Sequence, residues 1–272
     1  MLKSYTLPCI LLFSATFTTA LADDDLVWNG ANGTAWSGFY TSPYFATDIT
    51  TGAGLTIFCL DYNHEIGPPT EWHADLNALS PSNLGSYLYG NSYPFINPAT
   101  SFAFTGDGLG GVTTDAQRYQ RYVEAAWLFT NLIGAQNAND ANGMIISQVA
   151  AWHLFVDSAH ITDLQNRTNG TGGSYQFTNY VGGGSTAPES FKDAVDNAIM
   201  AAESAVVTNG WSPTLSWTVI TGDPAWVRSH DGLIPQEFLS HTPEPAAVVL
   251  FGTLLAGVGV AFRFRRQTRS AS

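Results

Sequence analysis

The period of the hydrophobic pattern changes twice along this chain, and those changes limit the folds that it can adopt. Apolar residues alternate over 54–62, as expected of a half-buried strand, and the aromatic stretch at 35–44 also favours strands. Between 115 and 206 the apolar spacing is helical, and at 215–219 the alternation returns. Strands at both ends with helices between them predict an α+β fold, with the strands in a sheet or a small barrel.

Three helices are predicted within the central part of the chain. The first covers 115–133, and the second begins near Asp140 or Asn142. The third begins at a capping box formed by Thr186 and Glu189, because a hydroxyl followed three residues later by a carboxylate satisfies the first free N–H groups of a helix. Residues 67–111 are rich in Pro, Asn, Ser and Gly, and we predict loops with short elements there.

The N-terminus, residues 1–22, has the three parts of a cleavable export signal. Lys3 provides the positive charge, and an apolar run follows it. The run ends at a small residue, a spacer and a second small residue, Ala20 to Ala22, where we expect cleavage. The mature chain is then expected to begin at Asp23, outside the cytoplasm.

The C-terminus, residues 243–272, contains an uncharged apolar segment at 246–262, near the lower length limit of a transmembrane helix. Basic residues after such a segment favour a cytoplasmic C-terminal end. They are Arg263, Arg265, Arg266 and Arg269. The tripeptide Pro243, Glu244 and Pro245 comes directly before the segment.

This order of tripeptide, short apolar segment and arginine cluster resembles the PEP-CTERM sorting signal. The resemblance implies transient insertion in the inner membrane and cleavage near Glu244 by an exosortase-type membrane protease. It also implies release to the cell surface or the extracellular matrix. The alternative is a plain C-terminal membrane anchor.

The remaining segment, 23–242, is long enough for one extracellular domain and is strongly acidic. It holds five Lys or Arg against 21 Asp or Glu, a formal charge of −16, whereas the whole chain has a charge of −12. Nucleic acids and anionic lipids require a basic surface, so neither is an expected partner. The segment contains one lysine, Lys192.

Cysteine content distinguishes this segment from most exported domains. Of the two cysteines in the chain, Cys9 lies in the export signal, so the mature protein keeps Cys59 alone. An intramolecular disulfide is then impossible, and an unpaired cysteine in an oxidising compartment requires an explanation.

A second polar exception lies on the second predicted helix, where Gln148 falls among the apolar residues Ile145, Val149 and Trp152. Its amide is therefore expected to be partly buried, and burying it without a partner costs a few kcal/mol. A cysteine thiolate that attacks a glutamine side-chain amide expels ammonia and leaves an internal thioester. Such a bond needs a positioned glutamine, an unpaired cysteine and a pocket that excludes water. Candidate shielding or supporting residues are Phe58, Asp61, Tyr62, His64, Trp127 and Trp152.

Two short motifs carry a family resemblance. Phe58-Cys59-Leu60-Asp61 and the sequence Ile-Ser-Gln-Val-Ala-Ala-Trp at 146–152 resemble the two signatures of the thioester domain of bacterial surface adhesins. The resemblance implies a Cys59–Gln148 thioester and covalent attachment to amine or hydroxyl nucleophiles on an extracellular polymer or a neighbouring surface. It implies no enzymatic turnover and no cofactor.

Two other functions remain open at this point. One is a non-covalent structural matrix protein in which Cys59 and Gln148 only pack. The other is a cysteine hydrolase with His64 or His153 as base and Asp61 or Asp157 as the group that orients it. No local cysteine-protease signature surrounds the cysteine, and the spacing of the histidines predicts no metal site.

Overall fold

The computed structural model describes residues 23–31, 33, 35–36, 39–62, 71–89, 114–156, 161–168, 191–213, 217–229 and 236–241. The expected export signal, the capping box at Thr186, the side chains of His64 and Asp157, and the whole sorting tail lie outside these residues. Within the described ranges, no helix combines the length and the apolar character needed to cross a membrane.

The strands of the described segments form a six-stranded closed barrel and a small separate sheet. The strands are β1 (Asp23–Ala31), β2 (Ala35–Trp36), β3 (Phe39–Tyr40), β4 (Tyr44–Asp48), β5 (Gly54–Cys59), β6 (Glu71–Ala78), β7 (Trp217–Gly222) and β8 (Phe238–His241). The barrel order is β1-β4-β5-β8-β7-β6, and all its pairings are antiparallel. Strands β2 and β3 pair with each other.

Five α-helices accompany the strands in the described residues. They are α1 (Asp115–Asn137), α2 (Ala141–Phe155), α3 (Ile161–Thr168), α4 (Phe191–Glu203) and α5 (Pro224–Ser229). A π-helical turn, Ser204–Thr208, extends α4, and a 3₁₀ segment, Pro81–Ser86, follows β6. The mixed helix-and-strand fold, with the strands in a small barrel, is therefore confirmed.

Helix boundaries follow local capping. The Thr114 hydroxyl accepts the Gln117 N–H at 3.2 Å and the Gln117 side chain accepts the Thr114 N–H at 3.1 Å, which is a reciprocal capping box. The Asp140 carboxylate accepts the Gly143 N–H at 3.0 Å at the start of α2. Both helices begin where the sequence predicts them, and α1 continues about one turn further than predicted, to Asn137.

Within 67–111, where we predict loops with short elements, the described residues contain the eight-residue strand β6. Its residues Trp72 and Ala74 are buried whereas Glu71 and His73 are exposed, which is the alternation of a barrel strand. The polar residues that face solvent are Glu, His, Asp and Asn, all typical of loops, and they concealed the period-2 pattern. The strand fills the place between β1 and β7 and so closes the barrel.

The helices pack on the barrel and share its hydrophobic core. Phe58 of β5 stacks on Phe129 of α1, with ring centroids 5.1 Å apart. Trp36 of β2 contacts Phe191 of α4 at 5.5 Å. One continuous cluster of buried side chains runs from the barrel into α1, α2 and α4. Helix α2 therefore lies in the interior, and every residue from Met144 to Phe155 is buried.

Candidate functional site

Cys59 is the last residue of β5, and its backbone and side chain are fixed by separate contacts. It pairs with Phe238 of β8 and is fully buried. Its N–H donates to the Ser42 hydroxyl oxygen at 2.8 Å. Its thiol donates to the carbonyl oxygen of Asp61 at 3.2 Å, and the Trp152 indole N–H donates to its sulfur at 3.5 Å. Cys59 is therefore a buried, unpaired thiol held at the end of a barrel strand.

Gln148 reaches this strand end from the middle of α2. Its Nε2 donates to the carbonyl oxygen of Cys59 at 2.7 Å, and its Oε1 accepts the Ser42 N–H at 3.1 Å. Only this orientation of the amide satisfies both partners, because the carbonyl of Cys59 needs a donor and the N–H of Ser42 needs an acceptor. The structure thus brings the Gln148 side chain into contact with the backbone of Cys59, 89 positions away in the sequence.

The burial of Gln148 is greater than the sequence suggests. We predicted an apolar stripe on α2 with the amide partly buried beside it, but the amide is completely inaccessible to solvent. The reason is that α2 packs against α1 and α4 as well as facing the barrel end, so no face of its central turns meets water. A fully buried amide requires partners for both its ends, and Cys59 and Ser42 supply them.

An aromatic cluster surrounds the indole of Trp152. The ring centroids of Trp36, Phe39 and Tyr62 lie 6.3, 6.0 and 5.5 Å from that of Trp152. Phe39 and Tyr62 also contact each other at 5.2 Å. The sequence identified Trp152 and Tyr62 as candidates but missed Trp36 and Phe39, whose signal was the aromatic stretch at 35–44. Packed rings beside the sulfur limit the access of water to it.

The other residues proposed as shielding lie elsewhere or contribute differently. Phe58 points to α1, with Phe129 and Trp217 as ring partners, so it supports β5 from the face opposite Cys59. Trp127 packs, partly buried, against the core from α1. Asp61 is buried and contributes its backbone carbonyl to the thiol.

Helix α3 is tied to the aromatic cluster by a polar network. The Tyr62 hydroxyl and the Arg167 Nε both donate to Asp163 Oδ2, the second at 2.8 Å. The Arg167 guanidinium also lies over the ring of Phe39, 4.9 Å from its centroid. Burial and the Asp163 carboxylate raise the pKa of Tyr62, so its hydroxyl stays protonated and keeps donating at neutral pH. Helix α3 therefore contacts both Phe39 and Tyr62 and links these two rings of the aromatic cluster.

The electrostatics of Cys59 favour the neutral thiol. Burial raises its pKa to about 12, and the Trp152 N–H opposes this rise only in part. A hydrolase nucleophile has the opposite property, a thiolate stabilised by a neighbouring base or positive charge. His153, one candidate base, is buried and bonds to the Thr168 hydroxyl at 3.1 Å. A hydrolase needs the thiolate at every turnover, so the raised pKa of Cys59 disfavours hydrolysis; the same pKa slows the attack that would form a thioester, but that attack has to occur only once.

Metal binding finds little support in the described residues. His73 pairs with Asp25 at 2.6 Å on the exposed side of β6 and β1. Among the residues that the structure describes, no three His, Cys, Asp or Glu are grouped to hold a metal ion.

Comparison with known proteins identifies no relative for this arrangement. No protein-family model matches the chain, and no curated protein and no solved structure matches it significantly.

Proposed function

We propose that this chain is an exported surface or extracellular-matrix protein whose domain forms an internal thioester between Cys59 and Gln148. The thioester would attach the protein covalently to amine or hydroxyl nucleophiles on an extracellular polymer or a neighbouring surface. The observation that carries this proposal is the buried Gln148 amide, which is held at both ends by hydrogen bonds, one of them to the backbone carbonyl of the unpaired, buried Cys59.

The chemistry needs no oxidant, metal or cofactor. The Cys59 sulfur attacks the side-chain carbonyl carbon of Gln148, the carbon–sulfur bond forms, and the carbon–nitrogen bond breaks. The nitrogen leaves as ammonia and takes the thiol proton with it. An external amine then attacks the same carbon, forms a new amide and returns Cys59 to the free thiol. Atoms and charges balance in both steps.

The surroundings suit such a bond. Cys59 and Gln148 are both completely buried, and Trp152, whose indole N–H donates to the sulfur, packs within the aromatic cluster. A thioester hydrolyses when water reaches it, so exclusion of water lengthens its life. The low lysine content of the domain also limits reaction between copies, because a lysine amine is a natural attacker.

The proposal is tested by intact mass. Formation of the bond expels ammonia, so the folded chain is expected to weigh about 17 Da less than its sequence mass after export processing. The Cys59→Ala variant, with the same processing, is expected to show no such deficit. Methylamine is expected to add to Gln148 and to release the Cys59 thiol in the wild-type chain alone. An unaltered wild-type mass would contradict the proposal.

A second candidate is favoured by one specific observation. Both ends of the Gln148 amide and the Cys59 N–H already have hydrogen-bond partners, so the pair is stable without a covalent bond. A non-covalent matrix protein with the same fold is therefore the account that an unaltered mass would favour.

The sorting half of the proposal rests on the sequence of the tail. Deletion of residues 243–272 is expected to leave the chain unprocessed and to move it from the membrane and surface fractions to the soluble exported fraction. Cell fractionation with detection of the ectodomain measures this. Retention of the truncated chain in the membrane would contradict the role of the tail.

A further inference from the structure

Ser42 joins the two proposed reacting residues in a closed ring of hydrogen bonds. Its backbone N–H donates to Gln148 Oε1 at 3.1 Å, and its hydroxyl oxygen accepts the Cys59 N–H at 2.8 Å. Gln148 Nε2 completes the ring by donating to the Cys59 carbonyl at 2.7 Å. All three residues are completely buried. The ring fixes the amide plane of Gln148 relative to the backbone that carries the thiol.

We propose that Ser42 is a catalytic residue for formation and cleavage of the thioester, acting as the donor that stabilises the oxyanion on Gln148. This inference rests on the proposed Cys59–Gln148 bond. Its carrying observation is the contact between the Ser42 N–H and Oε1, the atom on which charge develops during the reaction.

The direction of charge development supports this role. When sulfur attacks the amide carbon, the electron pair of the carbon–oxygen bond moves to Oε1, which becomes negative in the tetrahedral intermediate. The N–H is already aimed at that atom in the uncrosslinked state, so no reorganisation is needed. Because Ser42, Cys59 and Gln148 are completely buried, a single backbone dipole acts there more strongly than it would in water. The oxyanion collapses to expel ammonia, and Oε1 becomes the thioester carbonyl oxygen.

The hydroxyl of Ser42 has a separate positioning role. By accepting the Cys59 N–H, it holds the end of β5 at a fixed distance from the segment between β3 and β4 that carries the oxyanion donor. The oxyanion donor, the amide carbon that the sulfur attacks and the thiol are then fixed in position relative to the same backbone segments. The same N–H would polarise the thioester carbonyl when an external nucleophile attacks, so one residue would assist both steps.

The test compares two buried serines. The Ser42→Ala variant removes the hydroxyl that holds Cys59. The Ser240→Ala variant removes a buried hydroxyl of β8 that donates to the Thr56 carbonyl at 3.1 Å. Full-length chains recovered unfolded from inclusion bodies are refolded by dilution into detergent, and the loss of ammonia is followed by mass. Circular dichroism measures folding in parallel.

We expect the Ser240→Ala chain to lose ammonia at the wild-type rate. The Ser42→Ala chain is expected to fold and to lose ammonia on the order of 10-fold more slowly, which is a smaller reduction in rate than deletion of an oxyanion donor causes. Ser42→Thr, which keeps the hydroxyl, is expected to recover most of the rate. Equal rates for wild type and Ser42→Ala would overturn the positioning role of the Ser42 hydroxyl but leave the thioester intact, and the backbone N–H, which both chains keep, is tested by the infrared measurement that follows. A wild-type chain that never loses ammonia would overturn both proposals.

A second measurement remains informative if Ser42→Ala does not fold. In the wild-type thioester, the hydrogen bond from the Ser42 N–H should lower the carbonyl stretching frequency below that of a simple thioester in an apolar solvent. Infrared difference spectra before and after methylamine treatment isolate this band. A band at the frequency of a free thioester would overturn the assignment of Ser42 as the oxyanion donor.

Discussion

Cys59 and Gln148 are both polar residues in otherwise apolar layers, and the hydrogen bond between them satisfies one buried polar group of each. The amide nitrogen of Gln148 satisfies the Cys59 carbonyl, and the Trp152 N–H faces the sulfur. A buried amide left without partners would cost a few kcal/mol, so the positions of these groups are linked. In the proposed thioester reaction, the contacts that stabilise the uncrosslinked pair would also hold the amide in place.

Burial of the thiol leads to a prediction that distinguishes a covalent attachment protein from a cysteine hydrolase. In the Gln148→Met variant, which keeps the volume of the side chain but has no amide to attack, Cys59 must remain a free thiol. Because burial raises its pKa to about 12, only a minute fraction is thiolate at pH 8. We expect alkylation by iodoacetamide to be at least about 100-fold slower in the folded variant than in denaturant.

The rate is measured by mass, and circular dichroism establishes that the variant is folded. Alkylation of the folded variant at the rate of a free cysteine would instead indicate an accessible thiolate. That outcome would return the cysteine hydrolase to consideration and weaken the argument that the pocket is dry.

At the scale of elements, α3 is the part of the described structure that holds the aromatic cluster from outside. Asp163 receives hydrogen bonds from Tyr62 and Arg167, and Arg167 lies over Phe39. Leu164 anchors the helix in the core. Because the Asp163 and Arg167 side chains are partly exposed, their ion pair is expected to contribute little to global stability, whereas it restrains the rings next to Trp152.

We therefore predict that Asp163→Asn loosens the aromatic cluster around Trp152 without unfolding the protein. The free energy of unfolding is expected to change by less than about 1 kcal/mol. The reaction of the thioester with methylamine, followed by mass, is expected to accelerate several-fold because Tyr62 and Phe39 are less restrained. Asp196→Asn is the matched control, since Asp196 forms an exposed i,i+4 pair with Lys192 on α4. Equal acceleration in both variants would exclude a specific effect of α3.

The elements differ in how far the sequence predicts them. Strand β5 and helix α2 are predictable because a strong local period reveals each, and Cys59 and Gln148 stand out as departures from it. Strand β6 is hidden because its outward residues are typical of loops. The role of Ser42 has no local signal at all: it uses a backbone N–H, which most residues possess, and a partner 106 positions away.

For the whole molecule, a buried carboxylate beside β8 links the barrel to the elements around it. Glu237 precedes that strand and is completely buried. Its oxygens accept hydrogen bonds from the Leu88 N–H at 2.6 Å, the Thr221 hydroxyl at 2.8 Å and the Tyr122 hydroxyl at 2.7 Å. Its own carbonyl accepts the Leu60 N–H at 2.9 Å. One residue thus joins β7, α1 and the segments that follow β5 and β6.

Glu237 makes stability depend on pH in a defined direction. Burial raises its pKa from 4.5 to about 7, and the nearby Asp61 adds to the rise, whereas the hydrogen bonds from Tyr122, Leu88 and Thr221 lower it in part. Between these two pH values the folded protein holds a proton that the unfolded chain has lost. The free energy of unfolding therefore falls as pH rises from about 4.5 to about 7, by at most about 1.4 kcal/mol per pH unit for this one group.

Denaturant unfolding of the wild type and of Glu237→Gln at pH 5 and pH 7 measures this contribution. The wild type is expected to lose more stability than Glu237→Gln between the two pH values, because the amide does not ionise. Glu237→Gln is expected to be less stable than the wild type at pH 5. Its amide nitrogen is itself a donor and must face one of the three groups that donate to Glu237, whereas the protonated acid accommodates all three. An identical pH dependence in the two chains would mean that Glu237 stays ionised in the folded barrel, held by its three donors.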